Sequence, residues 1–298
     1  MASHDLVREQ EFTNRIHKKN LIILVVAVQG LAATKVYLYA LFLIAGILTT
    51  LISIRKIGGK KCFSALVIFL IPLAFHPGTQ WEYSVATDVL GRLVEVVSGE
   101  SFGKFLSRRF FEPLGMTDTD FWVPEAKLKR LCAMYVGEDL LDPTKPGLHR
   151  ADDKPFPGAY TKKLPRESGG GGLVSTLGDT VKFIQSFLPG GPALLKADTI
   201  DLMYRNQLAS DLCVRFPNKP AFTSKGFGMG SSVTIGTSEL EPAEVVGEVG
   251  WGGLAGTIWW INPRIGIAGV LMTQRYFGFG NPYSFEFKSQ AYKALGFK

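Results

Sequence analysis

Cysteine and histidine are scarce in this chain, with three and four residues among 298. Cys62, Cys132 and Cys213 form no spaced pair, which excludes a zinc-finger pattern and a disulfide framework. His4, His17, His76 and His149 are scattered without metal-ligand spacing, so no metal is expected, and no cofactor is implied. Internal repeats are absent, and no strip of basic and aromatic residues suggests nucleic acid as a partner. Basic charge is not spread evenly. The net charge is +7, and Arg15, Lys18, Lys19, Arg55, Lys56, Lys60 and Lys61 flank apolar runs. Basic flanks on apolar segments point to a membrane surface.

Apolar residues are abundant and uneven. They make up 46% of the chain, with a mean hydropathy of +0.15 and the excess near the N-terminus. Residues 36–54 are 19 in a row without a charge, VYLYALFLIAGILTTLISI. A membrane-spanning helix needs about 20 apolar residues, and Tyr37 and Tyr39 stand where interfacial anchors would. The expectation is a retained span at 36–54 and a membrane location, with orientation open because positive charge lies on both sides. The run from Cys62 to Phe75 is shorter and contains Pro72, so it is a weaker span candidate. The reading divides the chain into a basic, apolar anchor segment (1–75) and a second domain (76–298).

The stretch from His76 to Pro124 organises that second domain. Pro77 and Gly78 mark its entry. Ser84 or Thr87 can cap a helix carrying Val89, Leu90, Leu93, Val96 and Val97 at helical spacing. Gly99 closes that helix, Ser101 opens the next with Phe102, Phe105, Leu106 and Phe110, and Pro113 and Gly115 end it. The residues W-x-Y-S-x-x-x-D-V-L-G-R-L-V-E-V-V-S-G, then F-x-P-L-G-M-x-D-T, resemble the middle of the serine β-lactamase-related superfamily. That group includes class C β-lactamases, penicillin-binding proteins and esterases. The resemblance implies that Tyr83 is the tyrosine of the Y-x-N element, which helps activate a nucleophilic serine and shuttles its proton. The third position is Val85, a departure shared with the esterase side of the family.

Further along, Ser168–Ser175 (SGGGGLVS) lacks the G-K-[ST] ending of a phosphate-binding loop. It reads as a tight connection before a helix at 177–187, and it resembles a family segment near the active-site rim. A short helix is expected over 194–208. A strand is expected over 226–235, and two long strands over 248–274 joined at Asn262-Pro263-Arg264-Ile265-Gly266. A closing helix is expected over 283–295. Helices, then antiparallel strands, then a final helix make an α+β architecture. The resemblance implies a β-lactamase/transpeptidase-like antiparallel sheet flanked by helices, whose N-terminal part is missing and replaced by an apolar helical segment.

Gly250-Trp251-Gly252-Gly253-Leu254 is the second chemical element. Bare backbone lets an acyl group lie against a strand. It resembles the W-G-G variant of the esterase branch, in place of K-T-G in β-lactamases. By that resemblance Trp251, Gly252, Gly253 and Leu254 bind substrate, and the Leu254 N–H is an oxyanion donor of the kind worth about 2.7–4 kcal/mol. Trp251 cannot pair a carboxylate as a lysine would but offers a flat apolar wall, which favours neutral acyl esters over anionic β-lactams.

The family's third element is S-x-x-K, in which serine and lysine share one helix face. The pattern is met at Ser53-Ile54-Arg55-Lys56, at the end of the apolar run. Two readings therefore stand. One is a membrane-associated serine hydrolase using Ser53 and Lys56 with Tyr83. The other is an inactive remnant that binds a ligand or partner, or a fragment without function.

Overall fold

The computed structural model describes residues 75–297, apart from 141, 217–219, 240, 242 and 280. The chain divides into two units, Met1–Gly78 and Thr79–Lys298, and the description below concerns the second. The expected span at 36–54, together with Ser53 and Lys56, lies outside the described residues. Among the described residues, no helix is long and apolar enough to cross a membrane.

The helical layer forms much as its punctuation suggests. Helix α1 (Ala86–Ser98) ends at Gly99, whose φ of 74° suits a residue without Cβ. Its N-cap is Val85 rather than Ser84 or Thr87, although the Ser84 hydroxyl accepts the Ala86 N–H at 3.2 Å. Ser101 caps α2 (Phe102–Leu106), which continues through a π turn (Ser107–Phe111) into α3 (Glu112–Leu114). Pro113 follows the π turn, and Gly115 at φ 64° ends the run. Phe111, Leu114 and Met116 are buried there, packed against Leu106, Phe110 and Phe183. A short antiparallel ribbon, β1 (Tyr135–Gly137) and β2 (Leu148–Arg150), follows.

Helix α4 (Leu177–Gln185) starts at Thr176, which accepts the Asp179 N–H. Buried Asp179 accepts in turn from the Asp118 N–H at 2.8 Å and the Thr119 hydroxyl at 3.0 Å. That ties the loop after α3 to the start of α4. Helix α5 (Ala197–Tyr204) is shorter than the apolar pattern predicts.

The sheet differs most from expectation. Its strands are β3 (Lys225–Phe227), β4 (Ser232–Thr234), β5 (Val249–Gly252), β6 (Ile258–Asn262) and β7 (Ile267–Leu271). They form an antiparallel meander in that order. The single strand expected over 226–235 is a hairpin turning at Gly228–Ser231. The long strand expected from 248 to 262 is also two strands, β5 and β6. Between them Leu254, Ala255 and Gly256 form a three-residue loop, closed by the Gly253 N–H to the Thr257 carbonyl at 2.8 Å. Gly256 takes φ 80°, and a Cβ there would run into Thr273 Oγ1. A type I turn followed by a left-handed residue is a common three-residue hairpin loop, and glycine fills the left-handed position at least cost.

Alternation along the strands covers both faces. Val233, Val249 and Ile261 pack with Ile184 of α4. Trp260 packs on the other face with Val245 and Tyr292 of α6 (Pro282–Ala294). The Trp260 indole lies across its cross-strand partner Gly269, where a Cβ would overlap the ring. Gly269→Ala therefore forces Trp260 or β7 to move. Overpacking of this kind costs about 1–3 kcal/mol, so its thermal midpoint should fall by several degrees, whereas Gly266→Ala, with no atom within 4 Å but φ 69°, tests the backbone cost alone.

Candidate active site

Tyr83 stands three residues before α1, its backbone N–H donating to the Arg215 carbonyl at 3.0 Å. That bond fastens the approach to α1 onto the loop after α5. The Tyr83 side chain is 42% exposed, and its hydroxyl has no hydrogen-bond partner among the described residues. Its ring centroid lies 6.0 Å from that of Trp251. The structure thus brings together the two elements singled out in the sequence, 168 positions apart in the chain (251 less 83).

Trp251 is the third residue of β5, pointing to the face that Val249 shares with α4, by strand alternation. Gly252 ends the strand, and Gly253 and Leu254 enter the turn. The sequence reading placed these glycines at the start of a strand. They end one, and Leu254 lies in the turn that follows. No acceptor for the Leu254 N–H occurs among the described residues, and Leu254 itself is 41% exposed.

The glycine-rich loop Ser168–Gly172 packs on the first turn of α1. The Ser168 hydroxyl donates to Asp88 Oδ1 at 2.6 Å, and Gly169 comes so close that a Cβ would meet the Thr87 carbonyl. A Cβ at Gly170 or Gly172 would likewise meet Asp88 Oδ2 or the Ser168 carbonyl, whereas Gly171 has open space. One anchor beside the loop, the Glu167 carboxylate, accepts the Gly103 N–H at 2.6 Å.

Sequence reasoning missed two things. Trp81, Phe216 and Phe227 pack around Tyr83 and Trp251, with Phe222 on Phe216. Phe227 lies in the stretch expected as a strand, but Trp81, Phe216 and Phe222 come from segments without periodicity, and only the Trp81-x-Tyr83 spacing hinted at the cluster. A second S-x-x-K also exists, Ser101-Phe102-Gly103-Lys104. Its geometry is structural, because the Ser101 hydroxyl accepts the Lys104 N–H as the cap of α2 and both residues are exposed. Among the described residues, no group of three or more His, Cys, Asp and Glu could hold a metal.

Two apolar cavities lie elsewhere. One of about 160 Å³ is lined by Val181, Ile184, Leu188 and Gly269, and one of about 250 Å³ by Leu106, Phe110 and Phe183. Neither includes Tyr83 or Trp251.

A profile of the β-lactamase family matches residues 67–288. The chain belongs to the β-lactamase family. The match begins slightly before Pro72, where the sequence resemblance was first traced. The chain is 31% identical over 216 residues to a lovastatin esterase of Penicillium rubens, covering 68% of this chain and 52% of that protein. It is 26% identical over 230 residues to esterase EstB of Burkholderia gladioli, covering 74% and 56%. The chain thus spans about half the length of these curated relatives. In three dimensions it resembles EstCE1, a hydrolase with promiscuous acyltransferase activity, with a TM-score of 0.63 at 22% identity over 76% of this chain and 60% of that one. That likeness confirms the β-lactamase/transpeptidase-like fold, an antiparallel sheet with flanking helices.

Proposed function

We propose that the protein is a carboxylesterase-like serine hydrolase acting on neutral acyl esters through an acyl-enzyme, held at a membrane by residues 36–54. The observation that carries this reading is the Tyr83 hydroxyl, unengaged among the described residues, on a ring 6.0 Å from Trp251 at the head of the Gly252-Gly253-Leu254 turn. In this reading a serine oxygen attacks the ester carbonyl carbon. Tyr83 takes the serine proton and passes it to the departing alcohol. Water then adds to the acyl-enzyme, and its proton returns to serine by the reverse path. The Leu254 N–H donates to the oxyanion, a contribution of about 2.7–4 kcal/mol to the transition state. Trp251 walls the acyl site without a positive charge to hold a carboxylate.

The nucleophile of this proposal is Ser53 with Lys56 as its activating amine. A second reading, a binding module without turnover, draws support from one observation. The S-x-x-K of the described residues is a helix cap rather than a catalytic pair. Intact-mass analysis of the full chain after fluorophosphonate treatment separates the two. A single adduct on Ser53 that disappears in Lys56→Ala is the expected result. An unlabelled but folded chain, shown by a cooperative melt, would sink the hydrolase reading and leave the binding module.

A further inference from the structure

We propose that Tyr83, Phe216 and Trp251 form a docking face for a flat aryl group of the substrate, and that Phe216 determines this specificity. The proposal rests on the esterase reading for the ligand being an ester, but the binding face itself does not depend on turnover.

Phe216 and Trp251 are stacked, and Tyr83 is tilted against both. Tyr83 and Phe216 have centroids 5.2 Å apart at 36°, Tyr83 and Trp251 6.0 Å at 32°, and Phe216 and Trp251 5.9 Å at 27°. Three further rings stand on edge against them. Phe222 meets Phe216 at 80°, Phe227 meets Trp251 at 84°, and Trp81 meets Trp251 at 73°. Edge-to-face and offset-stacked contacts are both favourable for aromatic quadrupoles. The edge-on rings therefore hold the stacked pair in place, and in this proposal the exposed side of Tyr83 receives the aryl ring.

This geometry differs from aromatic packing in the core. Phe110, Phe183 and Phe187 meet at 59° and 75° and pack into the clusters around α3 and α4. The Tyr83 group is assembled from three separate segments, yet Tyr83 and Phe222 remain more than 40% exposed. A contiguous exposed apolar patch marks a binding surface more often than a structural one. Next to Phe216, the Arg215 carbonyl accepts the Tyr83 N–H, and Val214 and Phe222 form an isolated antiparallel bridge. None of the six ring residues carries a formal charge, so the face suits a neutral aryl group over a carboxylate. An aliphatic group of equal size would bury similar area but would gain nothing from ring orientation.

The test compares two unreactive methyl ketones of equal carbon count, 2-acetonaphthone and its saturated decalin counterpart, by equilibrium dialysis against the full chain. The flat ketone is expected to bind about tenfold more tightly, in line with stacking beyond area burial. Phe216→Leu, which keeps apolar area but removes the ring, should reduce that ratio to about twofold, and Phe216→Tyr should restore it. Equal binding of the two ketones, no binding of either, or an unchanged ratio in Phe216→Leu overturns the proposal. Should Phe216→Leu fail to fold, Phe216→Tyr and Phe222→Leu decide. The ratio must survive in the first and fall in the second, where the edge-on support is lost. A chain that keeps the flat-ring preference but takes no fluorophosphonate adduct disproves the esterase reading alone and leaves the docking face standing.

Discussion

Lys288→Met is expected to destabilise the folded protein by about 3–5 kcal/mol, the usual cost of breaking a buried ion pair from one side. Lys288 of α6 reaches Glu241 at 2.8 Å and Glu248 at 2.5 Å, and Glu241 also meets Lys225 at 2.7 Å. The two carboxylate side chains are only 5% and 3% exposed. Removing the ammonium leaves two carboxylates in a dry space with one lysine between them. Chemical denaturation should show a lower midpoint with little change in slope, since the surface exposed on unfolding is unchanged. Adding Glu248→Gln to Lys288→Met should recover a substantial part of the loss. An additive double variant would show that the coupling is absent.

The pH dependence of that deficit carries a sign. Burial opposes charge on Glu241, but Lys288 and Lys225 together outweigh it and hold Glu241 below the usual carboxylate range. Burial pushes Glu248 up, with Lys288 and the Tyr292 hydroxyl opposing. In the native protein the Glu241 contribution is present above the ordinary glutamate range and is lost as pH falls through its lowered value. In Lys288→Met the balance at both carboxylates tips towards protonation. The penalty is then full above the raised values and is gone once pH has fallen below the ordinary glutamate range. The native and variant stability curves should therefore converge on acidification. The network fastens α6 to the sheet, because Tyr292 donates to Glu248 at 2.9 Å and Asn262, at the end of β6, donates to Tyr292 at 2.9 Å.

Much of the helical frame was legible because helix ends carry local signals. Ser101, Gly99 and Gly115 act where their types predict. The strands were less legible, since a glycine in an apolar run is compatible with both an extended chain and a turn. Only the left-handed φ of Gly256 and Gly230 decides the matter, and composition does not encode it. In the site, Tyr83 and Trp251 were visible through their family motifs. Phe216 was not, because its partners lie 133 and 35 positions away (216 less 83, and 251 less 216) and its loop has no period. The Lys225, Glu241, Glu248 and Lys288 network was invisible for a related reason. Charged residues are buried only when paired, and pairing across 16, 40 and 47 positions (241 less 225, 288 less 248, 288 less 241) is a property of the fold.

Tyr83→Phe is expected to lower ester turnover by about 10²–10⁴-fold, the range lost with a positioned proton-transfer group. The substitution removes one oxygen and keeps the ring. The contacts of Tyr83 with Phe216 and Trp251 at 5.2 and 6.0 Å are between rings and should persist. Affinity for the naphthyl ketone should then stay within about twofold, and the melting temperature should hardly move, since the hydroxyl has no partner among the described residues. A loss confined to kcat is the signature of an interaction made in the transition state and not in the ground state. Turnover of an aryl acetate at the native rate in Tyr83→Phe would remove the tyrosine from the chemistry. A parallel rise in KM and fall in ketone affinity would instead place its hydroxyl in ligand binding. Because the ring is kept, the substitution separates the two roles of one side chain, an aromatic wall and a proton carrier. The sequence motif implied the second of these, and the packing with Phe216 and Trp251 supplies the first.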